Sequence, residues 1–248
     1  MKRTIVQAVV VSCVAVFAAK PAFSQVTVQA GGGIGVMTPL SDYSGTTIEY
    51  YAGQTYGLSS GLNLVGKLRA GVQSFVLVGE LGLAFLSNSG NSEPGQGNVE
   101  VSQTVLTFRI GPEYHFKIPS MPAKPYLGAN LALHQFSGET KFQGVSRVPS
   151  ATFSVESSSR FGIGFGGGVL VAISPTIDLD FGLGLNFMNL GGSEWLDVNL
   201  SQDERLDAYL ALNDLKDPLF DITDDKHFVA DDRSISSFQI IVSILFGL

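Results

Sequence analysis

Residues 238–248 read Phe238-Gln239-Ile240-Ile241-Val242-Ser243-Ile244-Leu245-Phe246-Gly247-Leu248. Every second side chain from Phe238 to Leu248 is large and apolar, whereas the side chains between them are mixed. A period of two is that of a β-strand with one apolar face. The stretch is long for a strand of a soluble protein, but a tilted strand needs about 9–11 residues to cross a bilayer. No charge interrupts the apolar face, so the stretch predicts a strand that faces lipid.

Seven earlier segments have the same alternation. They are residues 26–38, 60–69, 75–87, 101–116, 125–136, 158–171 and 177–188. The connections alternate in length. The short ones are 70–74, 117–124 and 172–176, and the long ones are 39–59, 88–100, 137–157 and 189–234. An even strand number with short periplasmic turns and long outer loops is typical of outer-membrane barrels, so we predict an all-β fold: an eight-stranded antiparallel transmembrane β-barrel.

The N-terminus has the pattern of a secretory signal peptide. Lys2 and Arg3 precede a mostly apolar run over 5–19, and Ala22-Phe23-Ser24 offers small residues for cleavage before Gln25. We therefore predict a signal peptide at 1–24 and a barrel domain at 25–248. Two alternatives stay open: an N-terminal membrane anchor, and a lipoprotein cleavage box at 10–13.

Composition excludes several classes of protein. Of 15 Lys and Arg residues three lie within 1–24, so the rest of the chain has 12 basic against 22 acidic residues, a net charge of −10. Such a charge argues against nucleic acid as a partner. The only cysteine, Cys13, also lies within 1–24, so we expect no disulfide. Mean hydropathy is +0.26, yet no long apolar run follows residue 24, which is typical of alternating strands rather than helical spans.

The chain resembles the small eight-stranded outer-membrane barrels of the OmpA-transmembrane-domain, OmpX and OmpW type. The resemblance rests on strand number, alternation, loop asymmetry and the last strand. It implies location in the bacterial outer membrane, with outer-membrane lipid and the barrel-assembly machinery as partners. Such barrels usually end in an aromatic residue, whereas here Gly247 and Leu248 follow Phe246.

Charged side chains fall on the predicted inward face. They are Lys67, Arg69, Glu80, Arg109, Glu113, His115, Arg160, Asp178 and Asp180. The interior of an eight-stranded barrel is just wide enough for side chains to fill it. Because an unpaired buried charge is costly, we expect the cations to pair with acids across the lumen, chiefly with Glu80, Glu113 and Asp178. The network is either a structural plug or a gated narrow pore. Small residues at 162, 164, 166 and 168 leave room on one wall.

We expect no catalytic site and no cofactor. His134 could lie near Ser137 or 157–159, but no nucleophile-elbow pattern is present, and Cys and His do not occur at metal-ligand spacing. His115 shares a strand face with Glu113. A histidine in a barrel lumen is more often a hydrogen-bonded filler than a catalytic base, so the sequence favours a protein that is not an enzyme.

The last outer loop, 189–234, is strongly acidic, with twelve acidic residues against four basic ones. Ser201 and Glu204 form a capping box that predicts a short helix, which Pro218 would stop. Asp221, Asp224 and Asp225 are candidate ligands for a divalent cation, although their spacing departs from the EF-hand pattern. An extracellular partner at this loop and a simple solvated acidic surface are the other interpretations.

These patterns together predict an outer-membrane barrel with a structural or surface-binding role through its long outer loops. The alternative is a narrow channel or a passive route for small or hydrophobic solutes. A lipid-modifying enzyme is the third interpretation.

Overall fold

The computed structural model describes residues 26–119, 122–146, 148–196, 204–218 and 231–248. They form a closed barrel in which each strand pairs antiparallel with its neighbours along the chain and the first strand pairs with the last. The strands are β1 (Thr27–Leu40), β2 (Gly61–Val72), β3 (Phe75–Gly90), β4 (Asn98–His115), β5 (Ala123–Gln143), β6 (Thr152–Ser174), β7 (Ile177–Gly191) and β8 (Ser236–Gly247). The predicted eight-stranded barrel is confirmed. The predicted signal peptide lies outside the described residues.

The two faces of each strand differ as the alternation predicts. On β2 the side chain of Leu68 is 52% exposed and that of its neighbour Arg69 is 1% exposed. On β8 the outward Ile240 and Ile244 are about half exposed, whereas the inward Leu245 is fully buried. Apolar side chains therefore form a belt around the outside, and polar side chains fill much of the lumen.

Glycine makes the seam between β1 and β8 possible. A Cβ atom on Gly31 would lie 1.9 Å from the carbonyl oxygen of Ile244, and one on Gly35 would lie 2.0 Å from that of Ile240. No other residue fits so close to the partner backbone without moving it. The glycine-rich segment of β1 is thus required for the last strand to close the barrel.

Strands β4, β5 and β6 are 18, 21 and 23 residues long, whereas β2 and β8 have 12 residues each. Much of the predicted outer loops 88–100 and 137–157 is therefore strand, and the connections shrink to 91–97 and 144–151. The prediction was wrong there because these strand ends rise above the lipid. Their outward residues meet water, so the contrast between apolar and polar faces is lost.

Two outer loops remain long: L1 (41–60) and L4 (192–235). L1 contains helix α1 (Thr47–Tyr51), which begins with a capping box between Thr46 and Glu49. L4 contains helix α2 (Glu204–Leu210), so the predicted short helix is present, but it ends before the predicted stop at Pro218. Ser201 of the predicted capping box lies outside the described residues. Neither helix approaches the length or apolar character of a membrane span, and the same holds for every described helix.

Candidate functional site: the lumen and the outer cap

Charged side chains form a continuous network in the periplasmic half of the lumen. Arg69 from β2 binds Glu113 of β4 with two hydrogen bonds of 2.8 and 3.1 Å. Its Nη1 atom also lies 3.2 Å from Oδ2 of Asp180, which Lys67 approaches at 2.8 Å. Asp180 therefore joins the two cations of β2.

The network continues in both directions. Lys67 lies 3.7 Å from Glu80, which also contacts Arg109. At the periplasmic end, His115 Nε2 lies 3.1 Å from Glu113. The network without His115 contains three cations and three carboxylates, so it is neutral overall. That balance matters because an unpaired buried charge costs several kcal/mol.

Tyr126 supports the centre of this network. Its hydroxyl donates a hydrogen bond of 2.7 Å to Asp180, and the Arg69 guanidinium lies 4.7 Å from the centroid of its ring. A glycine wall makes room for the ring, because a Cβ on Gly168 would lie 2.6 Å from the Tyr126 hydroxyl oxygen. The small residues noted on β6 thus accommodate bulky neighbours at this point.

The structure brings together seven of the nine predicted luminal residues and separates two. Asp178 lies at the periplasmic mouth, where the Gln29 amide donates a hydrogen bond to it, so Asp180 rather than Asp178 pairs with the cations. Arg160 lies at the opposite, outer end of the barrel. Sequence periodicity assigns a face but not a height along the barrel axis.

Two cavities flank the network. One is a chamber of about 70 Å³ in the mid-lumen, lined in part by Arg109, Asn130 and Gln239. A cavity needs about 10–15 Å³ of such volume to hold one water, so the chamber has room for several waters. The other is a vestibule of about 270 Å³ at the periplasmic mouth, next to His115 and Lys117. Residues of the ion network line both cavities, with Lys67 and Arg109 at the chamber and Arg69 and His115 at the vestibule.

An apolar cluster, here called the outer cap, fills the extracellular end. Its members come from L1, from L4, from the β5–β6 connection (144–151) and from the inward faces of the strand ends. They are Met37, Tyr43, Tyr50, Tyr51, Tyr56, Leu58, Ala84, Leu86, Val99, Val101, Val105, Phe136, Phe142, Val145, Val148, Met188, Tyr209, Leu212 and Ile235. Five of the seven tyrosines of the chain are among them. Burial of so many large side chains provides the main driving force for folding the loops inward.

Each tyrosine hydroxyl of L1 has a hydrogen-bond partner. Tyr51 donates to the carbonyl oxygen of Ser146 at 2.7 Å, and Tyr56 donates to that of Asn213 at 3.0 Å. Tyr50 lies 3.0 Å from Oγ1 of Thr140, and Tyr43 donates to the Gln103 side chain. These bonds connect L1 to L4, to the β5–β6 connection and to the strand ends.

Burial also changes the acidity of these tyrosines. It raises the pKa of Tyr50 and that of Tyr56 to about 12, and the nearby Arg233 only partly offsets the effect on each. The pKa of Tyr43 is raised as well, chiefly by burial. The folded outer cap therefore favours the neutral, protonated form of these tyrosines over the phenolate.

Arg160 and Asp214 clamp L4 onto the barrel mouth. The guanidinium of Arg160 donates to the two carboxylate oxygens of Asp214 at 2.9 and 3.0 Å, and both residues are buried, at 1% and 2% exposure. A second arginine, Arg233, lies 3.9 Å from the centroid of the Tyr56 ring and donates to the Asn213 carbonyl oxygen at 2.7 Å. L4 is therefore fixed over the lumen by two buried cations.

The remaining candidate residues are His134 in the lumen and three acidic residues of L4. His134 Nδ1 lies 2.9 Å from Thr107 Oγ1, and its cross-strand neighbour is Arg160. Within the described ranges, no three His, Cys, Asp or Glu residues are arranged to hold a metal ion. The candidate cation ligands Asp221, Asp224 and Asp225 lie outside those ranges.

Sequence reasoning missed the outer cap, although a signal was present. Four tyrosines lie between positions 43 and 56, a segment predicted only as a loop. Exposed loops rarely need so many aromatic residues, so this density could have indicated a buried loop. The role of Asp214 left no such signal, because it is one acid among twelve in its loop.

Comparison with known proteins identifies the barrel. Residues 7–203 match the family model of the outer membrane protein beta-barrel domain. No curated protein matches the chain. A major outer membrane protein from Thermus thermophilus is 13% identical with a TM-score of 0.51, and the alignment covers 90% of this chain and 100% of that chain. At this identity the likeness concerns the fold alone.

Two further solved structures are similar at lower scores. Neisserial surface protein A (NspA) is 14% identical with a TM-score of 0.47, covering 89% of this chain and 96% of that chain. OprG from Pseudomonas aeruginosa is 8% identical with a TM-score of 0.46, covering 91% and 97%. Because the family model spans well over half of the sequence and the strands close into the expected barrel, the chain belongs to the outer membrane protein beta-barrel domain family and has its place in the bacterial outer membrane.

Proposed function

We propose that the protein is a non-conducting, non-enzymatic barrel that acts in the cell envelope through its outer surface, as a structural or surface-binding protein. The observation that supports this most directly is the outer cap. L1 and L4 fold together over the lumen and are held by buried side chains. A loop arranged in this way serves as a fixed surface rather than as an open entrance.

Two independent layers oppose passage through the lumen. A solute from outside meets the tyrosines of the outer cap, and then the neutral ion network around Asp180. The chamber between them is lined by charged side chains of the network itself, including Lys67, Glu80 and Arg109. The alternative function, a narrow channel or passive route, requires both layers to move.

Single-channel recording in planar bilayers tests this proposal. We expect the purified wild-type barrel to insert without stable current steps. The variant Tyr50→Ala/Tyr56→Ala removes only the first layer, so it should also give no stable current steps, because the ion network around Asp180 remains in place. Stable current steps from the wild type, at normal gel mobility of the folded barrel, would overturn the proposal in favour of the channel.

The charge of the outer surface supports a cationic partner. Of 22 acidic residues, 18 fall in the outer loops or the outer strand ends, and the others are Glu80, Glu113, Asp178 and Asp180. Divalent cations at Asp221, Asp224 and Asp225, bridging to anionic lipid, fit this charge. Calcium titration by calorimetry tests it: the triple Asp→Asn variant at these positions should lose binding that the Glu93→Gln control retains, and equal binding would exclude the assignment.

A further inference from the structure

The vestibule at the periplasmic mouth is the larger of the two cavities beside the ion network, at about 270 Å³. Sites for small molecules are usually concave pockets of about 300–1,000 Å³ that combine apolar walls with a few converging polar groups. The vestibule approaches the lower end of that range. Its lining joins apolar side chains, among them Val76 and Leu170, to charged and amide groups from several strands. It therefore has room for a small solute.

Two lysines stand opposite each other on one wall of the vestibule. The backbone N–H of Phe116 donates to the carbonyl oxygen of Pro125 at 2.8 Å, which continues the pairing of β4 with β5. The next step of this register places Lys117 opposite Lys124. Lys124 lies two residues before the buried Tyr126, on the same inward face of β5. Both lysines line the cavity, so their ammonium groups share one small space.

The lysine pair has no acidic partner in the described part of the chain. Neither Lys117 nor Lys124 is within 4.0 Å of a described carboxylate. Among the described lining residues Asp178 is the only acid, and it lies on β7, two strands beyond β5, where it binds the Gln29 amide. Like charges directly opposite each other on neighbouring strands are destabilising. An anion between the two lysines would remove that cost.

The charge of this wall contrasts with that of the rest of the protein. Of the twelve basic residues after position 24, seven fall in the outer loops or outer strand ends and three belong to the ion network. Lys117 and Lys124 are the remaining two, on a chain whose net charge after position 24 is −10. A locally positive concave site raises the concentration of anions near it. The vestibule is therefore the place where this acidic protein attracts an anion.

Arg69 provides a second donor at the inner wall of the vestibule. The side chain is 1% exposed, and its Nε and Nη2 atoms donate to Glu113. Its Nη1 atom lies 3.2 Å from Asp180 but makes no hydrogen bond to any described residue. A buried donor without an acceptor costs free energy, so an oxygen atom of a ligand at this wall would be stabilising.

These groups favour a ligand whose negative charge is concentrated in one small group. The ammonium of lysine is a compact charge with three donors and is a common phosphate ligand in proteins. A phosphate monoester carries a charge of about −1.5 to −2 at pH 7, which matches two ammonium groups better than a single carboxylate does. We propose that the vestibule binds the phosphate group of a small soluble phosphate monoester from the periplasm, with Lys117 and Lys124 as its main ligands. The inference is independent of the proposed role of the outer surface.

Calorimetry on the purified barrel in an uncharged detergent tests the site. Glycerol 3-phosphate is the probe, and glycerol and a short-chain phosphatidylglycerol are titrated separately. We expect the variant Lys117→Gln/Lys124→Gln to bind the probe at least tenfold more weakly than the wild type, because both charge-assisted contacts are lost. The matched control Lys141→Gln, at the outer end of β5, should bind normally. No binding by the wild type, equal binding by the double variant, or binding of phosphatidylglycerol alone would overturn the proposal.

Urea unfolding separates a binding role from a structural one. Without the probe, the double variant should unfold at a urea concentration no lower than the wild type, since it loses a pair of like charges. Glycerol 3-phosphate should raise the midpoint of the wild type and leave that of the double variant unchanged. A lower midpoint for the double variant without the probe would show that the lysines stabilise the fold, and this result would also overturn the proposal.

Discussion

Replacing Asp214 with asparagine tests how L4 is held over the lumen. Asparagine keeps the shape of the carboxylate but removes its charge. Arg160 then stays buried with one oxygen acceptor at this position instead of two. The nearest remaining acid is Glu194, which is 3.6 Å away and half exposed. Asp214 also accepts hydrogen bonds from the Asn189 side chain and from the Glu194 backbone, which asparagine can only partly keep.

The expected cost follows from the burial of both partners. Removing one member of a buried ion pair costs about 3–5 kcal/mol, because the other charge is left without compensation. At 1.4 kcal/mol for each factor of ten, the equilibrium between docked and released L4 shifts by roughly 150- to 4,000-fold. The barrel strands do not depend on this pair, so the effect should be local.

Two measurements report on L4 alone. Trp195, the only tryptophan, lies in this loop, so its emission should shift at a lower urea concentration in the variant. Trypsin cleavage after the exposed Lys216 should accelerate by a comparable factor, because slow proteolysis follows the population of the open form. Heat-dependent gel mobility confirms that the barrel is folded.

The control is Asp231→Asn, an exposed acid of the same loop, which should behave as the wild type. The double variant Arg160→Met/Asp214→Leu removes both charges and should recover most of the lost stability. If Asp214→Asn leaves the emission and the cleavage rate at wild-type values while the barrel is folded, the buried pair does not hold L4 and the reasoning is wrong.

Three further perturbations address the lumen, the seam and the outer cap. Glu80→Gln deprives Arg109 and Lys67 of a shared acid, so we expect a loss of about 3–5 kcal/mol in urea unfolding that Glu80→Leu/Arg109→Leu largely recovers; equal losses in both would exclude charge imbalance as the cause. Gly35→Val places side-chain atoms against β8 and should abolish the heat-modifiable gel shift, whereas Gly66→Val, where a Cβ meets nothing within 4 Å, should leave it intact. The pKa of Tyr50 and that of Tyr56 are about 12 when folded and about 10 when unfolded, so their contribution to cap stability is complete below pH 10 and is lost as the pH rises to 12. Phenolate absorbance should therefore show a set of late-titrating tyrosines, and that set should lose one group in Tyr56→Phe.

The lipid-facing part of the fold could be predicted because its signal is local. Leu68 and Arg69 are neighbours in sequence and lie on opposite sides of the barrel wall, and the bilayer tolerates no exchange between the two faces. The same rule fails above the lipid. Glu100 and Glu139 face water, so these parts of β4 and β5 lack the apolar contrast and were predicted as loops.

The sequence predicts which charged residues line the lumen, but it does not predict which of them pair. Asp178 and Asp180 have the same face and the same charge, and only the register of β7 against β8 and the barrel tilt place Asp180 opposite Lys67. The Arg160–Asp214 pair joins a strand residue to a residue 54 positions later in a loop. Such a pairing depends on how L4 folds, which strand periodicity does not describe.

The outer cap joins the two ends of the chain, since Ser234 binds Asp42 across 192 positions and Tyr56 binds Asn213 across 157. These partners can meet only after β1 has found β8, because until then they stand at opposite edges of an open sheet. The folded outer cap is therefore a surface that exists only on a completely assembled barrel, and it faces the outside of the cell. An antibody raised against the outer cap would bind closed barrels on living cells and would not bind barrels that are still open during insertion.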